Sequence, residues 1–216
     1  MLKIGHRGAK GHAPENTLAS FEKALQLHVH AVELDVHLSA DATIMVIHDE
    51  TVDRTTNGNG FVRDLHSEEL RQLGIPTLED VFQLIDKKCS INIEIKDKNA
   101  THLVVQLIEK YVEDNYQLFQ ISSFDWEVLE SLSRLNPKIF IGVLTENDLE
   151  AALIFAKKIR AQSINPFYRL LTKEKVTLLH ENGFLVFPWT VNEPNEIEKL
   201  KLFAVDGIIS DFPDRI

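Results

Sequence analysis

Short apolar runs alternate with stretches of helical periodicity along almost the whole chain. Apolar runs of this length predict strands, and apolar residues that recur every three or four positions predict amphipathic helices. The predicted strands lie near residues 2–6, 32–36, 43–47, 91–96, 118–122, 139–144, 161–164, 184–189 and 207–210. Predicted helices separate most of them, and this β-then-α alternation indicates a parallel sheet, either closed as a barrel or open and doubly wound.

Charged and imidazole side chains interrupt or end four of the apolar runs. These residues are His6 and Arg7, Glu33 and Asp35, His48, and Glu94 and Lys96. An unpaired buried charge is costly, so the pattern predicts one polar site assembled from several strand ends. Such a site favours the closed TIM-type (βα)8 barrel, in which active sites lie at the C-terminal face of the strands. Because the sequence stops a few residues after the last predicted strand, we expect the last helix to be missing or vestigial.

The second and third predicted strands are too close in sequence for a helical crossover. We therefore predict an antiparallel hairpin between residues 32–36 and 43–47. A turn at Ala40-Asp41 pairs residues whose numbers sum to 81 and places His48 opposite Glu33. Side chains paired in this way have Cβ atoms about 5 Å apart. A slip of one residue would break the pairing.

A polar and turn-rich segment follows this hairpin at residues 51–76. It contains Asn57-Gly58-Asn59-Gly60 and a short predicted helix near residues 67–73, and it is longer than an ordinary loop. We interpret residues 1–216 as a single barrel domain in which residues 51–76 form an inserted subdomain. We expect the insert to cover part of the site and to influence substrate selectivity.

Composition and charge narrow the classes of function. An apolar content of 44% and a charged content of 26% are ordinary for a soluble globular protein. No run approaches the roughly 18 apolar residues that span a bilayer, and the first residues lack the features of a signal peptide. The single cysteine, Cys89, excludes an intrachain disulfide, and the net charge of −10 argues against a nucleic-acid partner. These features favour a cytoplasmic protein that acts on a small molecule, and they leave its oligomeric state open.

Three of the strand-borne residues are carboxylates. Glu33, Asp35 and Glu94 offer oxygen ligands only, which suit Mg²⁺ or Ca²⁺ better than zinc. The alternative is that they are solvated acids, or partners of lysine and arginine. Because all three are embedded in apolar strands, we favour a divalent-cation site.

Two histidines flank this predicted metal site. His6 and His48 have the side-chain chemistry for a general base and a general acid near neutral pH, which cleavage of a phosphodiester requires. Arg7 and Lys96 could bind the phosphate or act as counter-ions of the carboxylates. Trp189, at another strand end, is either a wall that contacts substrate or a packed aromatic side chain.

An ordered set of short motifs resembles the glycerophosphodiester phosphodiesterase family. Early motifs are His6-Arg7-Gly8, Pro14-Glu15-Asn16-Thr17, Glu33-Leu34-Asp35-Val36, Val46-Ile47-His48-Asp49 and Asp53-Arg54-Thr55-Thr56-Asn57-Gly58. Later ones are Ile75-Pro76-Thr77-Leu78-Glu79-Asp80, Glu94-Ile95-Lys96, Ser123-Phe124, Trp189-Thr190-Val191-Asn192 and Asp206-Gly207-Ile208-Ile209-Ser210-Asp211-Phe212-Pro213. Ser210 stands where the family commonly has threonine. The compact chain is similar to the short cytosolic members of the family.

The resemblance implies a TIM-type barrel that hydrolyses glycerophosphodiesters to sn-glycerol 3-phosphate and an alcohol. It implies that Glu33, Asp35 and Glu94 bind Mg²⁺ or Ca²⁺ and that His6 and His48 are the catalytic base and acid. Arg7 and Lys96 would contact the phosphate, and Trp189 would line the glycerol side.

Several alternatives remain open at the level of sequence. The nucleophile could be water or the 2-hydroxyl of the substrate glycerol, and the two histidines could exchange roles. A phospholipase-D-like enzyme that acts on lysophospholipids is a close rival on the same fold. A non-catalytic barrel that binds phosphorylated ligands is a more distant one.

Overall fold

Nine strands and eight α-helices are present in residues 1–112 and 115–216, the part of the chain that the computed structural model describes. The strands are β1 (Leu2–Gly5), β2 (Ala31–Leu38), β3 (Ile44–Val46), β4 (Ser90–Ile95), β5 (Phe119–Ser123), β6 (Phe140–Thr145), β7 (Ser163–Pro166), β8 (Leu185–Val186) and β9 (Gly207–Ser210). The helices are α1 (Leu18–Gln26), α2 (Ser67–Gln72), α3 (Leu78–Ile85), α4 (Thr101–Val112), α5 (Trp126–Leu135), α6 (Leu149–Ile159), α7 (Lys173–Glu181) and α8 (Pro194–Leu202). Strands and helices alternate as the apolar pattern predicts.

Eight of these strands form a nearly closed parallel barrel. They follow the order β8-β7-β6-β5-β4-β2-β1-β9, and β3 pairs with β2 outside this path. Backbone hydrogen bonds join the two ends of the sheet, from Asp206 N to the Val186 oxygen (3.1 Å) and from Ile209 N to the Pro188 oxygen (3.0 Å). The TIM-type barrel expected from the sequence is therefore confirmed, and the carboxyl ends of all eight strands meet at one rim.

Side chains of β2 alternate between the outside and the inside of the barrel. Val32, Leu34 and Val36 are fully buried in the large core between the sheet and the helices. Glu33 and Asp35 lie on the opposite, inner face, because successive side chains of a strand point to opposite sides. The apolar outer face thus fixes the strand, and the register of that face places two carboxylates inside the barrel.

The hairpin between β2 and β3 differs from the expected one by one residue. The pairs are Val36 with Val46 and Leu38 with Ile44, so the paired numbers sum to 82 rather than 81. The turn has three residues between Ser39 and Thr43, and Ala42 takes the left-handed conformation at φ 57°. A turn of this kind, closed by a left-handed residue, adds one position to a two-residue turn. The prediction that His48 lies opposite Glu33 across a ladder was therefore wrong.

Residues 51–76 lie above the rim beside the hairpin. They contain an antiparallel bridge between Thr51 and Phe61, a 3₁₀ turn at Val62–Asp64, and helix α2. A small apolar cluster fixes this segment on β3 and is made of Met45, Ile47, Val52, Val62, Leu70 and Ile75. The segment therefore shares a small apolar cluster with the end of the hairpin, separate from the main core.

Two further expectations concern local elements. The capping box predicted at the start of α3 is confirmed, because Asp80 N donates to Thr77 Oγ1 (3.1 Å) and Thr77 N donates to Asp80 Oδ2 (2.9 Å). The strand predicted at residues 184–189 is shorter, since only Leu185–Val186 pairs regularly. Beyond β9 the described residues contain a 3₁₀ turn, Pro213–Arg215, and no α-helix.

No helix in the described ranges has the length and apolar content needed to cross a membrane.

Candidate active site

The eight residues singled out in the sequence come together at the C-terminal rim of the barrel. His6 and Arg7 follow β1, Glu33 and Asp35 lie on β2, His48 follows β3, Glu94 and Lys96 lie at the end of β4, and Trp189 follows β8. All of them except Asp35 line one cavity. Asp35 lies just below it, with Oδ2 3.3 Å from Arg7 Nε and Oδ1 3.4 Å from Lys96 Nζ.

The three carboxylates form a buried cluster. Oxygens of Glu33, Asp35 and Glu94 all lie within 4.8 Å of one another. Asp35 and Glu94 are brought together because they are paired neighbours in the parallel ladder between β2 and β4. Burial, together with the charges of Asp35 and Glu94, raises the pKa of Glu33 well above its usual range. Burial and the charge of Asp35 raise the pKa of Glu94 to about 7.

Two cationic residues, Arg7 and Lys96, contact this cluster. Lys96 Nζ donates to Glu94 Oε1 at 2.6 Å, and the backbone N–H of Arg7 donates to Glu33 Oε2 at 3.0 Å. Burial alone would raise the pKa of Asp35, but the charges of Lys96 and Arg7 lower it below its ordinary value. Three carboxylates against two cations leave a net negative charge in a buried place. A hard divalent cation fits this donor set, because its charge would favour the ionised glutamates against the burial and the repulsion that raise their pKa values.

His6 is held by Asp211, a carboxylate outside the cluster of three that follows the neighbouring strand β9. Its Nδ1 lies 2.6 Å from Asp211 Oδ1, and its Nε2 lies 3.9 Å from Glu33 Oε2. An ionised carboxylate can only accept, so Nδ1 carries the proton and Nε2 is the nitrogen that can take another. Burial lowers the pKa of His6, and the hydrogen bond with Asp211 offsets only part of that effect. Asn192 in turn fixes Asp211, with Nδ2 donating to Asp211 Oδ2 at 2.7 Å.

His48 is held in a similar way on the other side of the cavity. Its Nδ1 lies 2.6 Å from Asp49 Oδ1, and burial lowers its pKa despite the charge of Asp35 and the hydrogen bond with Asp49. Arg54 of the insert then links two acids, because its Nε donates to Asp49 Oδ2 (2.6 Å) and its Nη2 donates to Glu15 Oε1 (2.7 Å). Glu15 also accepts from Arg7 Nη1 at 2.7 Å. A continuous chain of ion pairs thus connects His48 with Arg7.

Aromatic side chains form one wall of the cavity. The Trp189 ring packs edge-on against Phe124 with centroids 5.3 Å apart, and its Nε1 donates to the Asn165 oxygen at 2.7 Å. The indole N–H of Trp189 is satisfied, as expected of a packed aromatic side chain, and its ring also lines the cavity. Phe124 is 44% exposed and lies at the mouth.

The bottom of the cavity carries polar atoms without a partner in the described part of the chain. Asn92 Oδ1 and Ser122 Oγ are buried, line the cavity and make no hydrogen bond there. Buried polar atoms are nearly always paired with protein or with a bound molecule. Their position indicates that the cavity receives a polar ligand or water.

Several residues of this arrangement were missed in the sequence. Asp211, Asp49, Glu15 and Arg54 hold the predicted site residues, and Asn16 Nδ2 donates to Asp35 Oδ2 at 2.9 Å. Each lies inside one of the motifs quoted above, which was the available signal. Asp211 is adjacent to His6 because Gly5 pairs with Ser210 in the ladder between β1 and β9.

Comparisons with known proteins identify the family of the chain. A sequence profile of the glycerophosphoryl diester phosphodiesterase family matches residues 6–215. A glycerophosphodiester phosphodiesterase from Caldanaerobacter subterraneus subsp. tengcongensis is 39% identical over an alignment 232 positions long, which covers 100% of this chain and 96% of that protein.

Solved structures are similar over the same length. The glycerophosphodiester phosphodiesterase of Thermotoga maritima has a TM-score of 0.88 at 30% identity, covering 99% of this chain and 96% of that one. An Oleispira antarctica phosphodiesterase in complex with the product sn-glycerol-3-phosphate has a TM-score of 0.91 at 27% identity, with 99% and 94% covered. With a profile match over nearly its full length, the chain belongs to the glycerophosphoryl diester phosphodiesterase family of enzymes.

Proposed function

We propose that the protein hydrolyses glycerophosphodiesters to sn-glycerol 3-phosphate and an alcohol, with a divalent cation and a pair of histidines. The observation that carries the proposal is the buried cluster of Glu33, Asp35 and Glu94 between two histidines that are each fixed through Nδ1. Carboxylates alone would suit many cation sites. The two oriented imidazoles on either side add the acid and the base that phosphodiester cleavage needs.

Glu33, Asp35 and Glu94 would hold the cation, and their oxygen donors favour Mg²⁺ or Ca²⁺. When bound, such a cation neutralises charge on the phosphate oxygens and acts as a Lewis acid. Arg7 and Lys96 supply further positive charge beside it. Both already contact the carboxylates, so a bound phosphate would share these cations with the cluster rather than replace their partners.

His6 has the arrangement of a general base. Asp211 keeps the proton on Nδ1, and the lowered pKa keeps Nε2 free to accept a proton near neutral pH. In this proposal His6 removes a proton from the nucleophile, which is water or the 2-hydroxyl of the substrate. As the new oxygen–phosphorus bond forms, the bond from phosphorus to the alcohol oxygen breaks.

His48 has the arrangement of the general acid. It gives the proton from Nε2 to the departing alcohol oxygen, and Asp49 stabilises the imidazolium through Nδ1. The pKa of His48 is lowered by burial, but an anionic phosphate beside the ring favours its protonated form. If the 2-hydroxyl is the nucleophile, this step gives a cyclic glycerol phosphate, and a water molecule must then open the ring to give sn-glycerol 3-phosphate. Detection of the cyclic compound by ³¹P NMR would identify the 2-hydroxyl as the nucleophile.

The glycerol part of the substrate would lie against Trp189 and Phe124. The orphan oxygens of Asn92 and Ser122 at the bottom of the cavity can pair with its hydroxyls. This arrangement accounts for a polar floor below an aromatic wall, which suits a polyol with one apolar edge.

The test is hydrolysis of glycerophosphocholine and glycerophosphoglycerol by the wild type, His6→Ala, His48→Ala and the control His102→Ala. We expect each site variant to lose about 10²–10⁴-fold in kcat. His102 is an exposed residue of α4, and its replacement should leave the rate unchanged. A near-normal rate in either site variant would remove that histidine from the mechanism. A lysophospholipid in the same assay separates the proposal from the phospholipase-D-like alternative.

A further inference from the structure

A second cavity adjoins the one above the carboxylates. It lies between residues 13–17, the end of the hairpin, and the insert, where Thr55, Thr56 and residues 73–75 form its outer wall. We call it the insert groove. Its volume is about 330 Å³, against about 100 Å³ for the cavity above the carboxylates. The proposed mechanism makes no use of this space.

His48 is shared by the two cavities. Its ring lines both of them and is 31% exposed, so it stands at the boundary. Glu15 and Asn16 on the groove wall hydrogen-bond Arg7 and Asp35 on the other side of that boundary. His48 therefore marks the place where a molecule bound over the carboxylates would come nearest to the groove.

We propose that the insert groove binds the alcohol that leaves the phosphate. The proposal rests on the proposed function, in which His48 protonates the oxygen of that alcohol. An oxygen within reach of His48 lies at the entrance of the groove, and the remainder of the alcohol then extends along it. The glycerol phosphate half stays on the side of Trp189, so the two halves of the diester occupy separate walls.

The lining of the groove selects the charge of the alcohol. Both oxygens of Glu15 already have cationic partners, Arg7 and Arg54 on Oε1 and Arg54 and Lys10 on Oε2. No carboxylate oxygen of Glu15 is therefore left for an ammonium headgroup. No phenylalanine, tyrosine or tryptophan is among the described lining residues, so a quaternary ammonium finds no cation–π partner.

Apolar side chains cover much of the remaining wall. They are Ala13, Pro14, Val46, Ile47, Leu73 and Ile75. Val46 and Ile47 end the hairpin, and Leu73 and Ile75 belong to the insert, so the insert itself completes this surface. An uncharged alcohol with an apolar body therefore fits the groove better than choline does.

The test uses Thr55→Phe and the control Asn59→Phe. Both positions are exposed on the insert, but only Thr55 is among the described residues that line the groove. The substrates are the methyl and n-butyl esters of sn-glycerol 3-phosphate together with glycerophosphocholine. The methyl ester barely enters the groove, so its turnover reports on the catalytic site alone.

We expect Thr55→Phe to lower kcat/KM for the butyl ester by at least tenfold, since an apolar pocket discriminates 10–200-fold per missing methylene. The methyl ester should change by less than threefold, Asn59→Phe should leave both unchanged, and the wild type should prefer the butyl ester to glycerophosphocholine. Equal losses on both esters, or none on the butyl ester, would overturn the assignment of the groove. If the wild type cleaves the methyl ester but prefers glycerophosphocholine to the butyl ester, the proposed selectivity for an uncharged alcohol is overturned. Failure to cleave the methyl ester at all would refute the proposed function and, with it, this inference.

Discussion

Asp211→Asn is the substitution for which the structure predicts the most specific effect. Asp211 holds Nδ1 of His6 through Oδ1 and accepts from Asn192 Nδ2 through Oδ2. In the variant, the amide oxygen must face Asn192 Nδ2, because two N–H donors would otherwise meet. The amide NH₂ then faces His6 Nδ1, which has to accept a hydrogen bond instead of donating one. The proton of the neutral ring moves to Nε2, the nitrogen that must be unprotonated in the proposed mechanism.

The size of the loss follows from that change of tautomer. A hydrogen bond to a charged group contributes about 1.5–3 kcal/mol, which corresponds to roughly 10–150-fold in rate. Loss of the base itself removes a further part of the about 10²–10⁴-fold that a general base contributes. We therefore expect kcat/KM to fall by at least about 10²-fold. KM should change little, since Asp211 acts on His6 and would not contact substrate.

The assay is the pH dependence of glycerophosphodiester hydrolysis, with Asp214→Asn as the matched control. Asp214 makes the same 2.6 Å contact with His12 outside the cavity. In the Asp211 variant, burial and the charge of Arg7 act on His6 with less opposition, so the pKa of His6 falls further. The acid limb of the profile, where His6 must lose its proton, moves to lower pH. A loss below threefold with an unshifted limb would refute the role of Asp211, as would an equal loss in Asp214→Asn.

Three further predictions test other parts of the structure. Arg54→Ala should lower kcat/KM about 10–100-fold, because it breaks the chain of ion pairs between His48 and Arg7. Arg63→Ala, on the same insert, should have no effect. Equal rates in the two variants would contradict this prediction. In EDTA, the raised pKa of Glu94 contributes stability that is fully present below pH 4.5 and is lost as pH rises through about 7. The free energy of unfolding, measured by urea titration, should therefore fall by roughly 3 kcal/mol over this range. In Glu94→Gln the free energy of unfolding should fall less between pH 5 and pH 8, and an equal fall in the two proteins would exclude the explanation. Gly142→Ala should lower the free energy of unfolding by about 1–3 kcal/mol, and with it the urea midpoint, because the added Cβ would lie 2.1 Å from Gln120 Nε2 inside the barrel. An unchanged midpoint would show that the neighbouring side chains move to make room for the methyl group.

The fold and the centre of the site follow from local sequence. Glu33 and Asp35 could be predicted because a buried strand that carries two acids on one face is costly without a purpose. The alternation of strands and helices then indicated a parallel sheet, and the polar site at several strand ends favoured the closed barrel, in which those ends meet at one rim. In a closed barrel, all eight residues are therefore expected at the same rim.

The remaining features depend on contacts between distant segments. The hairpin register depends on the left-handed conformation of Ala42. Alanine rarely adopts this conformation, and no local sequence pattern predicts it here. The contact of Asp211 with His6 spans 205 positions and exists because the last strand pairs with the first. Arg54 reaches Glu15 across 39 positions, through an insert whose placement depends on the small apolar cluster that it shares with the hairpin. Local propensity and hydrophobic periodicity cannot predict contacts between residues that are so far apart in the sequence.

The most direct test of the account is turnover of a glycerophosphodiester by protein stripped of metal and then titrated with Mg²⁺ or Ca²⁺. The cluster of Glu33, Asp35 and Glu94 predicts no release of sn-glycerol 3-phosphate from the stripped wild type, and recovery upon addition of the cation. Asp35→Asn should fail to recover at the same concentration. Full turnover by the stripped protein, or normal recovery of Asp35→Asn, would contradict the claim that these carboxylates hold the catalytic cation.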